Sequence, residues 1–207
     1  MRSNVMTGKL EGIGSLSTSC EFNPICIARM ESSGENGVCG HCYSHRGQQY
    51  KATLKELLRK NTLEVKDIIP WCDLPITTHA FVRFESFGDI TCRNHLINYI
   101  RICEKNPQSM FALWTKNYGY LISVFNEYMR PDNLAIVLSS PNINEELPKE
   151  IIDKVENVVH VDTLFTVYDK DNFLKTPENE RCGMKCIVCR KCYARHATTM
   201  KVAEKLK

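Results

Sequence analysis

Several features that would assign a chain to a class at once are missing. No apolar run approaches the length of a membrane span, and Pro70 and Pro75 interrupt the apolar segment around Trp71, which excludes a spanning helix. No apolar stretch follows Met1 in the manner of a secretory leader, which predicts a protein kept in the cytoplasm. Gly and Pro are scattered, no low-complexity tract stands out, and nothing repeats beyond two groups of cysteines. Charge of one sign is scarce: the net value of +3 does not support nucleic acid as a partner. The densest basic run, 201–207, reads as the solvated face of a final helix beginning at Tyr193.

Cysteine, by contrast, is abundant, with eleven in 207 residues. In a reducing compartment that count favours metal ligation over disulfides. The rest of the composition, 43% hydrophobic and 25% charged, suits a single domain over 1–207 with a sizeable core.

Gly12–Thr18 is a short β-like run, and the Gly, Asn, Ser and Pro around the first cysteines predict a loop over 20–43. From Ser44 to Lys60, Tyr50, Leu54, Leu57 and Leu58 recur at helical spacing. A β/α core follows over 79–168. Strands are expected at His79–Ser86, Ser109–Thr115, Asn133–Ser140 and Val158–Tyr168. Between them fall helices at Thr91–Asn106, Tyr118–Met129 and Leu147–Val155, the first two stopped by Pro107 and Pro131. The nearly unbroken apolar run in Asn133–Ser140 is what a strand covered on both faces requires. The alternation predicts an α/β fold with a parallel sheet of four or five units. Reactive groups in such sheets collect at the carboxyl ends of the strands. Asp169–Arg181 reads as a loop.

The C-terminal cysteine group spans 182–192 as Cys182-x3-Cys186-x2-Cys189-x2-Cys192. Thiols this closely spaced, among Gly183, Lys185, Arg190 and Lys191, do not form a buried stripe. Basic neighbours favour the thiolate that metals need. Iron–sulfur and all-cysteine zinc sites both use such spacings. The N-terminal group is longer: Cys20-x5-Cys26-x12-Cys39-x2-Cys42. Cys39 and Cys42 form a metal half-site and Cys26 a third ligand, while Cys20 is either a fourth ligand or a plain loop cysteine. His41 and His45 are alternative ligands or solvent-facing residues. Another arrangement joins Cys39/Cys42 to Cys189/Cys192 in one structural zinc site. The isolated Cys72, Cys92 and Cys103 read as core residues.

The order of these pieces is itself distinctive. Asn-Pro-x-Cys at 23–26, Cys-x-x-Cys-Tyr at 39–43, Arg-Phe-x-Ser-Phe-Gly-Asp at 83–89, Phe-Ala-Leu-Trp-Thr-Lys at 111–116, Leu-Ser-Ser-Pro at 138–141 and the closing cysteines follow one another in turn. Over nearly its full length the chain resembles the phage gene-product-88-like family, which is similar, more distantly, to radical SAM enzymes. That resemblance implies a partial (β/α) barrel with cysteine-rich segments near both ends, in a bacterial host cell. It implies that Cys26, Cys39 and Cys42 hold three irons of a 4Fe-4S cluster and leave the fourth for S-adenosylmethionine (SAM). Tyr43 would lie near the adenine, and Ser86, Gly88 and Asp89 would hold the methionine amino group. The C-terminal cysteines would hold a second cluster. The x12 gap and the Asp in place of Glu depart from the radical SAM pattern.

Some of these residues have plainer readings. Asp89 suits a helix N-cap or first-turn position. Lys116, at a strand end, meets either an anionic group or solvent. Arg83 and Glu85 alternate with Val82 and Phe84, so one strand face carries charge: either a polar interior that receives substrate, or a buried ion pair. Ser139 and Ser140 lack the histidine and acid of a serine nucleophile. The expected function is a radical-SAM-like iron–sulfur enzyme with an unknown substrate and an electron donor as partner. The rival is a non-catalytic zinc- or iron–sulfur-stabilised protein that binds nucleic acid or a host protein.

Overall fold

A computed structural model of the chain describes residues 1–4, 6–49 and 51–206. Its strands are β1 (Gly14–Leu16), β2 (Phe81–Phe84), β3 (Met110–Thr115), β4 (Leu134–Ile143), β5 (Thr163–Tyr168) and β6 (Met200–Lys205). They form one open sheet in the order β1-β2-β3-β4-β5-β6, and every neighbouring pair is parallel. The helices are α1 (Pro24–Ser32), α2 (Tyr43–Gln49), α3 (Ala52–Glu64), α4 (Arg93–Lys105), α5 (Tyr118–Phe125), α6 (Lys149–Glu156), α7 (Lys170–Phe173) and α8 (Cys186–Cys189).

Six strands stand where four or five units are expected: the run at Gly12–Thr18 supplies β1, and the C-terminus adds β6. The final helix expected from Tyr193 is absent among the described residues; Met200–Lys205 forms β6 instead, paired with β5 over its whole length. There the chain gains ladder hydrogen bonds that an isolated basic helix lacks. The helix expected over Ser44–Lys60 is two helices, α2 and α3; Tyr50 lies outside the described residues. Asp169–Arg181 is not all loop: Asp169 caps α7 by accepting from Asn172 N at 2.8 Å.

Strand order has a direct consequence for the layers. Crossovers between neighbouring parallel strands are right-handed almost without exception, so a strictly sequential order sends the connecting helices to one face. Along β3, Phe111 and Leu113 enter the core that also holds Leu96, Ile100 and Leu121 from α4 and α5. Ala112 and Trp114 point the other way, beside Ala135 and Val137 of β4. Both faces are apolar, as the unbroken run in β4 predicts, and each large side chain so buried contributes roughly 1.5–3 kcal/mol.

The face opposite the helices is covered by the C-terminal cysteine segment. Cys186, Ile187, Cys192 and Tyr193 pack on Ala112, Trp114, Ala135 and Val137. Among the described residues no helix is long and apolar enough to cross a membrane.

Candidate metal centre

Asn23 organises the N-terminal group. Its side-chain oxygen accepts from Ile25 N at 3.0 Å and Cys26 N at 3.4 Å, starting α1 with Pro24 in its first turn. Its amide donates to Asp89 O at 2.7 Å, so the start of α1 is pinned to the end of β2. The x12 gap between Cys26 and Cys39 is filled by α1 and a tight return. A Cβ at Gly37 would fall 2.1 Å from Ser33 Cβ, so only glycine lets the chain fold back there and bring Cys39 and Cys42 toward Cys26. Ile143 N donates to Asn36 O at 2.8 Å and holds this return against the end of β4.

The thiols bear on one another. Burial, then the charges of Asp89 and Glu85, then Cys39 and Cys42, push Cys26 upward. Burial also raises Cys39, against the pull of Lys116 and Arg29. Cys42 is drawn down to about 6, chiefly by a hydrogen bond from Cys20, with help from the backbone N–H groups of His45 and Ser44 and from Lys116. The same hydrogen bond and burial push the Cys20 thiol up. Cys20, buried, therefore belongs to the group beside Cys42. Its Sγ also lies 3.4 Å from Ser44 Oγ. His41 Nε2 lies 3.0 Å from Glu35 O and His45 Nδ1 lies 3.7 Å from Glu21 Oε1.

The other candidate residues surround these thiols. Tyr43 donates its hydroxyl to Ser86 O while its ring is exposed. Ser86 N donates to Ser17 Oγ at 2.7 Å, and its hydroxyl accepts from Ser15 Oγ at 2.9 Å. Gly88 is wedged against the β1 loop, where a Cβ would fall 2.4 Å from Thr18 Oγ1. Asp89 receives four donors: Thr115 Oγ1 at 2.6 Å and Ile90 N at 2.8 Å on Oδ1, Lys116 N at 3.0 Å and Arg29 Nη1 at 3.0 Å on Oδ2. It is not the helix cap, since α4 starts at Arg93 behind Cys92.

Arg83 and Glu85 do not pair with each other. Glu85 takes a left-handed φ of 58°. That reverses its side, so its carboxylate meets the helix layer: Tyr99 donates to it, His95 Nε2 lies 3.1 Å away, and Thr18 Oγ1 donates at 2.9 Å. Thr91 N donates to His95 Nδ1 at 3.1 Å.

In the C-terminal group, Cys182 N donates to Ala203 O at 2.8 Å beside β6, and Lys9 Nζ donates to Cys182 O at 3.1 Å. Arg190, at a left-handed φ of 57°, ends α8 and turns Cys192 back toward the others. Burial, then Cys182, raises Cys192; burial also raises Cys186, with Arg83 opposing. The thiols of each group act on one another. Of the isolated cysteines, Cys103 is core, Cys92 half-buried and Cys72 exposed, so the core expectation fails for Cys72: it sits in a surface turn after Pro70.

With the pieces at 23–26, 39–43, 86–89 and 115–116 meeting at the carboxyl ends of β2 and β3, the comparison with known families is decisive on one point. The chain matches the model of the gene product 88 family over residues 5–195. It belongs to that phage-like family. No curated protein and no solved structure matches it.

Within this family member each of the two cysteine groups offers four thiols as donors. Among the described residues no three His, Cys, Asp or Glu side chains are set to hold a metal ion. Of these eight thiols Cys20 alone is buried and the others are half-buried. Sequence reasoning missed two residues, Arg29 and His95. Arg29 had a signal: it sits one helical turn after Cys26, so the two share a face of α1.

Proposed function

We propose that this chain is an iron–sulfur enzyme of the radical SAM type, with a 4Fe-4S cluster on Cys26, Cys39 and Cys42 and a second cluster on Cys182, Cys186, Cys189 and Cys192. The observation that carries this is the gathering of Cys26, Cys39 and Cys42 at the carboxyl end of an open sheet whose parallel strands run in sequence order. That end is where α/β sheets bind ligands, and in this reading the sheet is a partial (β/α) barrel.

A cluster held by Cys26, Cys39 and Cys42 would, when reduced by an external electron donor, supply one electron for cleavage of SAM. The chain's own residues do the positioning. Cys20 donates to the Cys42 thiolate, which keeps that ligand ionised without occupying a coordination position. Lys116 places positive charge near Cys39 and Cys42 and offsets part of theirs. Tyr43, anchored through its hydroxyl, presents an exposed ring for an adenine. Asp89 fixes α1 to the ends of β2 and β3. Substrate would sit over the sheet face that the C-terminal segment covers.

Cys20 also favours a second reading. As a fourth ligand it would close the site, and the protein would be a metal-stabilised binding protein, with iron–sulfur or zinc in a structural role. Anaerobic purification separates the two. The enzyme reading expects a brown protein with iron and acid-labile sulfide, a change in its electron paramagnetic resonance on adding SAM, and 5′-deoxyadenosine after reduction. A colourless protein with stoichiometric zinc, even after reconstitution, would sink it.

A further inference from the structure

Arg83 lies on the sheet face opposite the helices, in register with Ala112 of β3, which is in turn in register with Ala135 of β4. Its guanidinium stacks 4.0 Å over the Trp114 ring. Among the described residues it forms no ion pair, and its buried Nε has no hydrogen-bond partner. Trp114 Nε1 and the Tyr193 hydroxyl are unpartnered as well, on residues only 7% and 2% exposed. The Trp114 and Tyr193 rings pack with centroids 5.7 Å apart, so the three groups form one cluster. Buried donors without acceptors are destabilising, and native proteins rarely keep several together unless something meets them.

The position of the cluster is equally telling. The charge of Arg83 acts on Tyr43, beside the N-terminal thiols, and on Tyr193 and Cys186 in the C-terminal segment. It thus lies between the two cysteine groups. Glu204, the acid whose charge reaches it, is already engaged by Lys9 at 2.8 Å.

We propose that Arg83, Trp114 and Tyr193 form a recognition site for an oxyanion, the phosphate or carboxylate of a ligand held between the two cysteine groups. The fork of Arg83 offers parallel N–H donors, and Trp114 Nε1 and the Tyr193 hydroxyl are two more in the same cluster. That is more than a planar carboxylate uses, and it suits the oxygens of a phosphate group better. Assigning the site to the substrate rests on the enzyme reading above; anion binding itself does not.

The test is an equilibrium titration of the anaerobically prepared full chain. The sequence has two tryptophans, so Trp71→Phe leaves Trp114 as the sole reporter. Inorganic phosphate, acetate and chloride are added at constant ionic strength, following Trp114 fluorescence and the melting temperature. The expected result is saturable binding of phosphate, weakened about tenfold or more by Arg83→Gln, as for loss of a charge-assisted hydrogen bond. Arg83→Lys restores part of it, and Tyr193→Phe weakens it a few-fold. Saturation by acetate in preference to phosphate keeps the site and assigns it to a carboxylate. Equal responses to all three anions, or a saturable response that neither Arg83→Gln nor Tyr193→Phe alters, overturns the proposal and leaves Arg83 as a counter-charge to the thiolates of the Cys186 group. Phosphate binding by a protein that holds no iron would leave this site standing and remove the enzyme reading alone.

Discussion

Asp89 Oδ2 accepts from Arg29 Nη1 and from the backbone N–H of Lys116, each at 3.0 Å. One oxygen thereby ties the helix that carries Cys26 to the end of β3. Arg29 completes the brace by donating to Lys116 O at 2.9 Å and Asn117 Oδ1 at 2.6 Å.

Asp89→Ala leaves Arg29, Thr115 and two backbone donors facing an empty space. Removing one partner of a largely buried ion pair costs about 3–5 kcal/mol, and the exposure of Arg29 brings this nearer 2–4. Urea denaturation is expected to show that loss, together with a fall in bound iron as α1 loosens. An Asp89→Ala protein with the parent's midpoint and iron content would show that the brace is unimportant.

Cys42 has a folded value of about 6, below the ordinary 9.0, because Cys20 donates to its thiolate. The stabilisation is present above the ordinary value and is lost as pH falls through about 6. In metal-free protein, Cys42 is therefore expected to alkylate ahead of the other cysteines at pH 7, with its rate falling off near pH 6. Cys20→Ala is expected to move that midpoint upward while the reconstituted protein keeps its iron; Cys42→Ala is expected to lose it. Mass spectrometry of iodoacetamide-treated protein and iron assays check both outcomes.

Cys186→Ser with Cys189→Ser removes two donors from the segment that covers the sheet. Because metal binding contributes directly to folding free energy, metal content and melting temperature are expected to fall together. A double variant that retains both would mean these four thiols hold nothing.

Asp162 accepts from Arg130 Nη2 at 2.5 Å, from Ile136 N at 2.8 Å and from His196 N at 3.1 Å, joining β4 to the C-terminal segment. Asp162→Ala leaves the Arg130 charge buried without its partner and is expected to cost about 3–5 kcal/mol. A midpoint shift below about 1 kcal/mol would contradict this.

Local pattern determined much of this protein by itself. Alternating apolar runs and proline stops located β3, β4, α4 and α5, because periodicity and chain breaking act within a few residues. Cysteine spacing likewise located both groups. What required the tertiary structure were relationships between distant residues. Met200–Lys205 is a strand only because β5 offers it a ladder, and its basic composition alone reads as helix. Glu85 follows Arg83 in a strand's alternation, yet a left-handed φ sends it to His95 and Tyr99 on the other layer. Cys20 has the look of a loop residue until the fold sets it against Cys42. Arg83, Trp114 and Tyr193 are far apart in the chain, and only the packing of the C-terminal segment over Ala112 and Ala135 brings them into one cluster with unpartnered donors, since hydrogen-bond satisfaction is a property of the packed interior and not of any stretch of sequence.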